Sequence, residues 1–220
     1  TYAVARIRAK ELSLLNDAFL EQLIGVKTVP EVMALLSEKG WKGRDNSEKQ
    51  DPLDVLSYEE EKTYKTVLEM VDDPHAFDVF LLKKDFHNLK AAVKEAFSGK
   101  AFADIYVKGG TIDPEVIKEA ASSGDFSTLP DSMKEAGRKA LDTLLHYRDG
   151  QLCDIIIDKA CLDQIKKASK QNKNDLIKRY GELTVALADI KTAVRGAHAK
   201  KDPAFFKEAL AECDTLDITR

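Results

Sequence analysis

Glycine and proline are scarce in this chain, eleven and six among 220 residues, far fewer than a turn-rich sandwich or barrel uses, so long regular elements must cover most of its length. Aromatic side chains make up 7%, too few for a platform that stacks nucleic-acid bases. Cysteine is rarer still. Cys153, Cys161 and Cys213 supply neither a CxxC pair nor an even-numbered framework, and a reducing compartment is expected. No apolar run approaches the roughly 18 to 20 residues that cross a bilayer. Positive charge is not in excess: the formal net charge is −4, so no global field draws the protein onto nucleic acid or an anionic membrane. Catalytic signatures are missing as well. There is no glycine-rich phosphate loop, no GxGxxG after a strand, no HExxH and no Gly-x-Ser-x-Gly elbow.

What the chain does have is helix punctuation. Asp51-Pro52, Asp73-Pro74, Asp113-Pro114 and Asp202-Pro203 match the arrangement in which Asp caps a helix and Pro occupies its first turn. Thr28-Val29-Pro30-Glu31 and Ser132-Met133-Lys134-Glu135 read as capping boxes. Apolar residues then recur at helical spacing: Leu12, Leu15, Phe19 and Leu23 in one segment; Leu82, Phe86, Leu89, Val93 and Phe97 in another. Each stripe predicts one buried face. Leu176, Tyr180, Leu183, Leu187, Ile190 and Val194 follow a heptad, read as a bundle helix lying against a neighbour in preference to a free coiled coil.

The resulting map is all-α, with helices near 2–24, 29–39, 57–72, 76–98, 113–122, 131–148, 151–171, 174–197 and 203–213. Gly40 to Asp54 is expected as an exposed loop. Ile105-Tyr106-Val107, before Gly109-Gly110, reads as a linker or a short helix.

Charge is uneven. Between Lys166 and Lys201 ten Lys or Arg face three acids, and between Asp51 and Asp72 seven acids face two lysines. Solvated helix faces explain such runs, and a polar docking surface is the alternative. Asp72, Asp73, His75 and Asp78 form the best carboxylate–imidazole grouping, but acids at a helix start are already accounted for by the positive N-terminal dipole. An enzyme reading would rest on Asp73, His75 and Asp78.

Two stretches carry a resemblance. The opening Ala5-Arg6-Ile7-Arg8-Ala9-Lys10-Glu11 with Leu14-Leu15 resembles the start of the C (or d) subunit family of V-type and archaeal-type ATP synthases, and Asp85-Phe86-His87-Asn88-Leu89-Lys90-Ala91-Ala92-Val93-Lys94 is similar to that family's Asn-Leu-Lys helix. A related block, Ala186 to Arg195, aligns with the second without gaps and places Asp189 and Lys191 where Asn88 and Lys90 stand.

The resemblance implies repeated helical lobes around a pseudo-threefold funnel, a first lobe at 1–100 and a second at 101–220, and a third lobe beyond Arg220. It implies a noncatalytic C-type component of a V-type ATP synthase or ATPase: a socket on the cytoplasmic face of the membrane, peripheral to it, coupling the central stalk to the proteolipid ring for ion transport. No cofactor, metal or nucleic-acid partner goes with that role. Asn88, Lys90, Asp189 and Lys191 are implied as packing residues of the motif, with direct partner contact as the alternative for Asn88 and Lys90. Arg6, Arg8, Lys166, Lys167, Lys170 and Arg179 are the candidate contacts to stalk or ring. The rival is a helical binding or scaffold module whose basic docking surface takes nucleic acid or anionic lipid.

Overall fold

A computed structural model describes residues 2–44, 51–102 and 104–217. Among these, every regular element is helical, as the shortage of turn residues predicts. The chain divides into two compact units, Thr1–Pro74 and His75–Arg220.

The first unit holds α1 (Tyr2–Glu11), α2 (Asp17–Gly25), α3 (Val29–Glu38) and α4 (Pro52–Leu68). The single helix expected over 2–24 is interrupted because local side chains compete for the main chain: Ser13 Oγ donates to the Lys10 carbonyl and Asn16 Oδ1 accepts from Phe19 N. Of the predicted stripe only Phe19 is buried, and Leu12 is 90% exposed. Thr28 makes no side-chain cap, and Glu31 accepts from Lys27 N in place of the Thr28 amide. Helix α4 begins five residues before the expected start because Asp51 caps Leu53 N with Pro52 in the first turn. That start shortens the expected loop from its far end; residues 45–50 lie outside the described residues. The acids of α4 and of the Glu69 that follows it are partly neutralised at home: Arg44 pairs with Asp54 and Glu61, Lys62 with Glu59, and Arg6 with Glu69.

A 3-10 turn, Pro74–Phe77, leads into α5 (Asp78–Ser98), the first helix of the second unit. There follow α6 (Pro114–Ser123), α7 (Asp131–Tyr147), α8 (Gly150–Gln171), α9 (Asp175–His198) and α10 (Pro203–Ala209). Asp113, Asp149, Asn174 and Asp202 each accept a backbone N–H at a helix start. Helix α7 has no such cap; Pro130 precedes it, so the Ser132 capping box does not form. Helix α8 packs on α5, α7, α9 and α10. Its Ile157 and Ile165 meet Phe86, Leu89 and Val93 of α5, Ile117 of α6 and Met133 of α7 in one continuous core.

The heptad on α9 is placed otherwise than expected. Leu176, Leu183, Leu187, Ile190 and Val194 are exposed, and only Tyr180 of that series packs inward, against Phe80. The buried face carries Ile177, Gly181, Val185, Ala186, Asp189 and Gly196. Small residues explain the choice, because they allow the backbones closest approach. A Cβ at position 181 would overlap the Ser169 hydroxyl and Cβ and lie 3.3 Å from the Ile165 carbonyl oxygen. Gly181→Ala is therefore expected to lower stability by about 1–3 kcal/mol through overpacking, read as a fall of several degrees in Tm. Adding Ser169→Gly, which removes the Ser169 hydroxyl and Cβ, should restore part of the loss.

Candidate functional site

Two long helices in the second unit each hold a following segment by buried polar groups. On α5, the Asn88 side chain is fully buried and forms a closed pair with Val107: its Nδ2 donates to the carbonyl oxygen and its Oδ1 accepts from the amide, both at 2.8 Å. One turn earlier Asp85, also 0% exposed, accepts from Thr111 N, Thr111 Oγ1 and Ile112 N. The His87 ring lies 3.0 Å from the Ile105 carbonyl, and the Tyr106 hydroxyl donates to Glu95. Residues 105–112 thus form a strap, neither strand nor helix, five of whose main-chain groups are bonded by side chains of α5.

Helix α9 does the same with different residues. Asp189 Oδ1 accepts from Ala211 N at 3.0 Å, and Glu182 accepts from both Thr215 N and Thr215 Oγ1. Helix α8 adds Lys166, which donates to the Glu212 carbonyl, and Lys170, which pairs with Asp214 at 2.8 Å. This is why the last helix stops at Ala209 and not at 213: residues 210–215 are pulled out into a second strap. Asn88 and Asp189, aligned in the sequence repeat, both seize a backbone amide some twenty residues downstream.

Burial pushes the Asp85 carboxyl above its ordinary range against the donors of Thr111 and Ile112. Burial also raises Asp189, against the Ala211 amide and the nearby Lys159 and Lys166, with Asp163 adding to the rise. Asp189 Oδ2 accepts no hydrogen bond among the described residues. Cys153 and Cys161, buried in α8, are pushed up to about 11 and about 12.

The ten candidates occupy separate settings. Asn88 and Asp189 are strap anchors. Lys90 pairs with Asp158 on α8. Lys191 does not pack as the resemblance implies; it is exposed and pairs with no carboxylate among the described residues. Arg6 and Arg8 are held by Glu69 and Glu11, while Lys166 and Lys170 brace the second strap. Arg179 is exposed without an ion pair among those residues. Lys167 borders an open groove of about 500 Å³ between α7 and α8, where Lys139 and Lys159 alternate with Glu135, Asp163 and Glu208. His75 lies 2.9 Å from Asp78, and among the described residues no group of three His, Cys, Asp or Glu could hold a metal. No helix among them is long and apolar enough to cross a membrane.

Asp85, Thr111 and Ala211 escaped the sequence reading. Gly109-Gly110 held the available signal: a Cβ at position 110 would run into the Asp85 carboxylate, so glycine marks the point where the strap meets α5.

A family model described as ATP synthase (C/AC39) subunit matches residues 3–220. The chain is 22% identical to the C subunit of the V-type sodium ATPase of Enterococcus hirae, with 96% of this chain and 64% of that protein covered. It is 23% identical to the C subunit of the V-type ATP synthase of Thermus thermophilus, covering 94% and 66%. The chain spans just under two thirds of the length of these relatives.

Replacing Asn88 by Ala should cost about 1–3 kcal/mol, since both Val107 groups lose their partner, and speed amide exchange at Val107. Asp189→Asn tests the second anchor. A raised folded pKa means that the carboxyl's stabilising contribution is complete below about pH 4, the unfolded value, and is lost as pH rises through the folded value. The variant should match or exceed wild type at pH 7 and lose its advantage near pH 4, as read from urea melts.

Proposed function

This chain belongs to the ATP synthase (C/AC39) subunit family, and on that premise we propose that it is the noncatalytic C subunit of a V-type ATP synthase or ATPase. In this reading it is a helical socket at the cytoplasmic face of the membrane that passes torque between the central stalk and the proteolipid ring. The family match along residues 3–220 carries the proposal. Coupling of this kind calls for stiffness, and the second unit supports it: α8 is packed by four helices, and close-packed interiors deform little under load. The straps add to this by fixing the connecting segments to the same rods.

Lobes near 1–100 and 101–220 are proposed from the sequence repeat alone, since both anchors lie in the compact unit His75–Arg220. Arg6, Arg8, Lys166, Lys167, Lys170 and Arg179 are proposed as charged contacts, with Lys167 and Arg179 the freest among the described residues. A basic surface for nucleic acid or lipid is the weaker reading, because Lys166, Lys170, Lys178 and Lys201 bond within the chain.

The test is retention and coupling. The complete native protein should hold the central-stalk proteins and the ring in a pull-down. An assembly depleted of it should hydrolyse ATP without moving ions, and adding the protein back should restore transport. Failure to retain either partner, or transport unaffected by depletion, would overturn the proposal.

A further inference from the structure

We propose that residues 210–215 form a proton-operated latch on α9: Asp189 takes up a proton when this second strap is seated and yields it to solvent when the strap lifts. The two straps are held unequally. In the first, Asp85 uses both carboxylate oxygens and receives three donors, from Thr111 N, Thr111 Oγ1 and Ile112 N. In the second, Asp189 is 2% exposed and only its Oδ1 is bonded, by the amide of Ala211. The Oδ2 is buried with no hydrogen-bond partner among the described residues. An ionised carboxylate offers about four acceptor sites, so a single donor leaves the buried charge poorly compensated. The acid form leaves one O–H unpaired, a smaller penalty than a buried charge. Seating therefore favours the proton.

The charges around Asp189 do not remove this demand. On α8, Lys159 donates to the Lys207 carbonyl of α10 and Lys166 to the Glu212 carbonyl of the strap. Both favour the charged form from a distance, while Asp163 on the same helix, with Glu212 of the strap near it, opposes them. On α9 itself Glu182 is turned to Thr215, and Lys191 is exposed. Hydrophobic hold on the strap is slight: Ala211 is the single buried residue in 210–215, and one methyl group contributes little. Helix α10 is fixed more firmly. Gly196 lets Phe206 lie so close to α9 that a Cβ there would come within 2.5 Å of the ring. The hinge therefore falls at Ala209 and Leu210, where helix gives way to extended backbone. Asp189 and Ala211 are fully shielded by the described residues, so the demand for the proton does not depend on what else covers the strap.

A lifted strap exposes Asp189 to water and returns it to the ordinary aspartate value of about 4. The seated strap binds more protons, so its advantage is complete below about pH 4 and drains away as pH rises through the seated value. The Lys170–Asp214 pair runs the other way: Lys170 holds the Asp214 carboxyl down, and the pair stays intact above about pH 4.

The test is amide hydrogen exchange, read residue by residue by NMR on the complete native protein between about pH 5 and about pH 8. With intrinsic rates divided out, protection at Ala211 should fall about threefold or more across this range. Ile157, in the core of α8, should stay better protected than Ala211 throughout, as local lifting requires. Asp189→Asn keeps the acceptor for Ala211 without the charge; it should flatten the profile and raise protection at the alkaline end. Asp163→Asn should leave a profile that still falls. A carbon-13 titration of the Asp189 carboxyl, which needs no variant, should place its midpoint above about 4. Constant protection across the range, equal protection at Ala211 and Ile157, or a fall that survives Asp189→Asn would overturn the proposal. So would a profile flattened by Asp163→Asn, or an Asp189 midpoint at or below the ordinary value.

Discussion

The amide of Asn88 closing on the main chain of Val107 sets the terms for much of the second unit. A buried side-chain amide must find both donor and acceptor partners or destabilise the fold, and here a single residue provides one of each. With that pair made, residues 105–112 have to run along α5 and not across it. Asp85 then meets Thr111 and Ile112, and α6 starts at the Asp113 cap immediately beyond. The course of the chain between two helices is thus decided by polar groups inside the core, where packing of apolar residues alone would tolerate several paths.

Helix α8 supplies the complementary constraint. It is the shared wall against which α5, α7, α9 and α10 are laid, and its sequence shows little one-sidedness because several faces are covered. The loop after it is fastened too: Asn172 Nδ2 donates to the Ala76 carbonyl, joining the end of α8 to the turn before α5. By contrast the ion pairs of the surface, such as Lys94 with Asp154 or Lys118 with Glu95, are partly solvated and contribute modestly and with sensitivity to salt.

Helix content, most boundaries and the buried stripe of α5 were legible in the sequence because Asp-Pro caps and 3.6-residue periodicity are local signals. Helix α5 conforms at Leu82, Phe86, Leu89 and Val93, whereas Phe97, the last of the expected stripe, is exposed near the end of the helix. The straps were not legible: a tie between Asp189 and Ala211 depends on where two separated segments come to rest, and nothing in either one announces it. The face of α9 was misjudged for a related reason. Periodicity identifies an apolar stripe but not which side a neighbour will take, and close approach at Gly181 and Gly196 outweighed burial of leucine. Of the candidate site, Asn88 and Lys90 were visible through the motif, whereas the division of cations into engaged and free needed coordinates.

The three thiols occupy unequal settings. Cys153 and Cys161 sit inside α8, inaccessible and with little thiolate at neutral pH, while Cys213 lies half-exposed in the second strap, between the Lys166 bond to Glu212 and the Lys170 pair with Asp214. Among the described residues, maleimide dyes therefore have a single ready attachment point. A fluorophore placed there rides on the segment that leaves α9 when its anchor lets go, and so turns strap release into an optical signal.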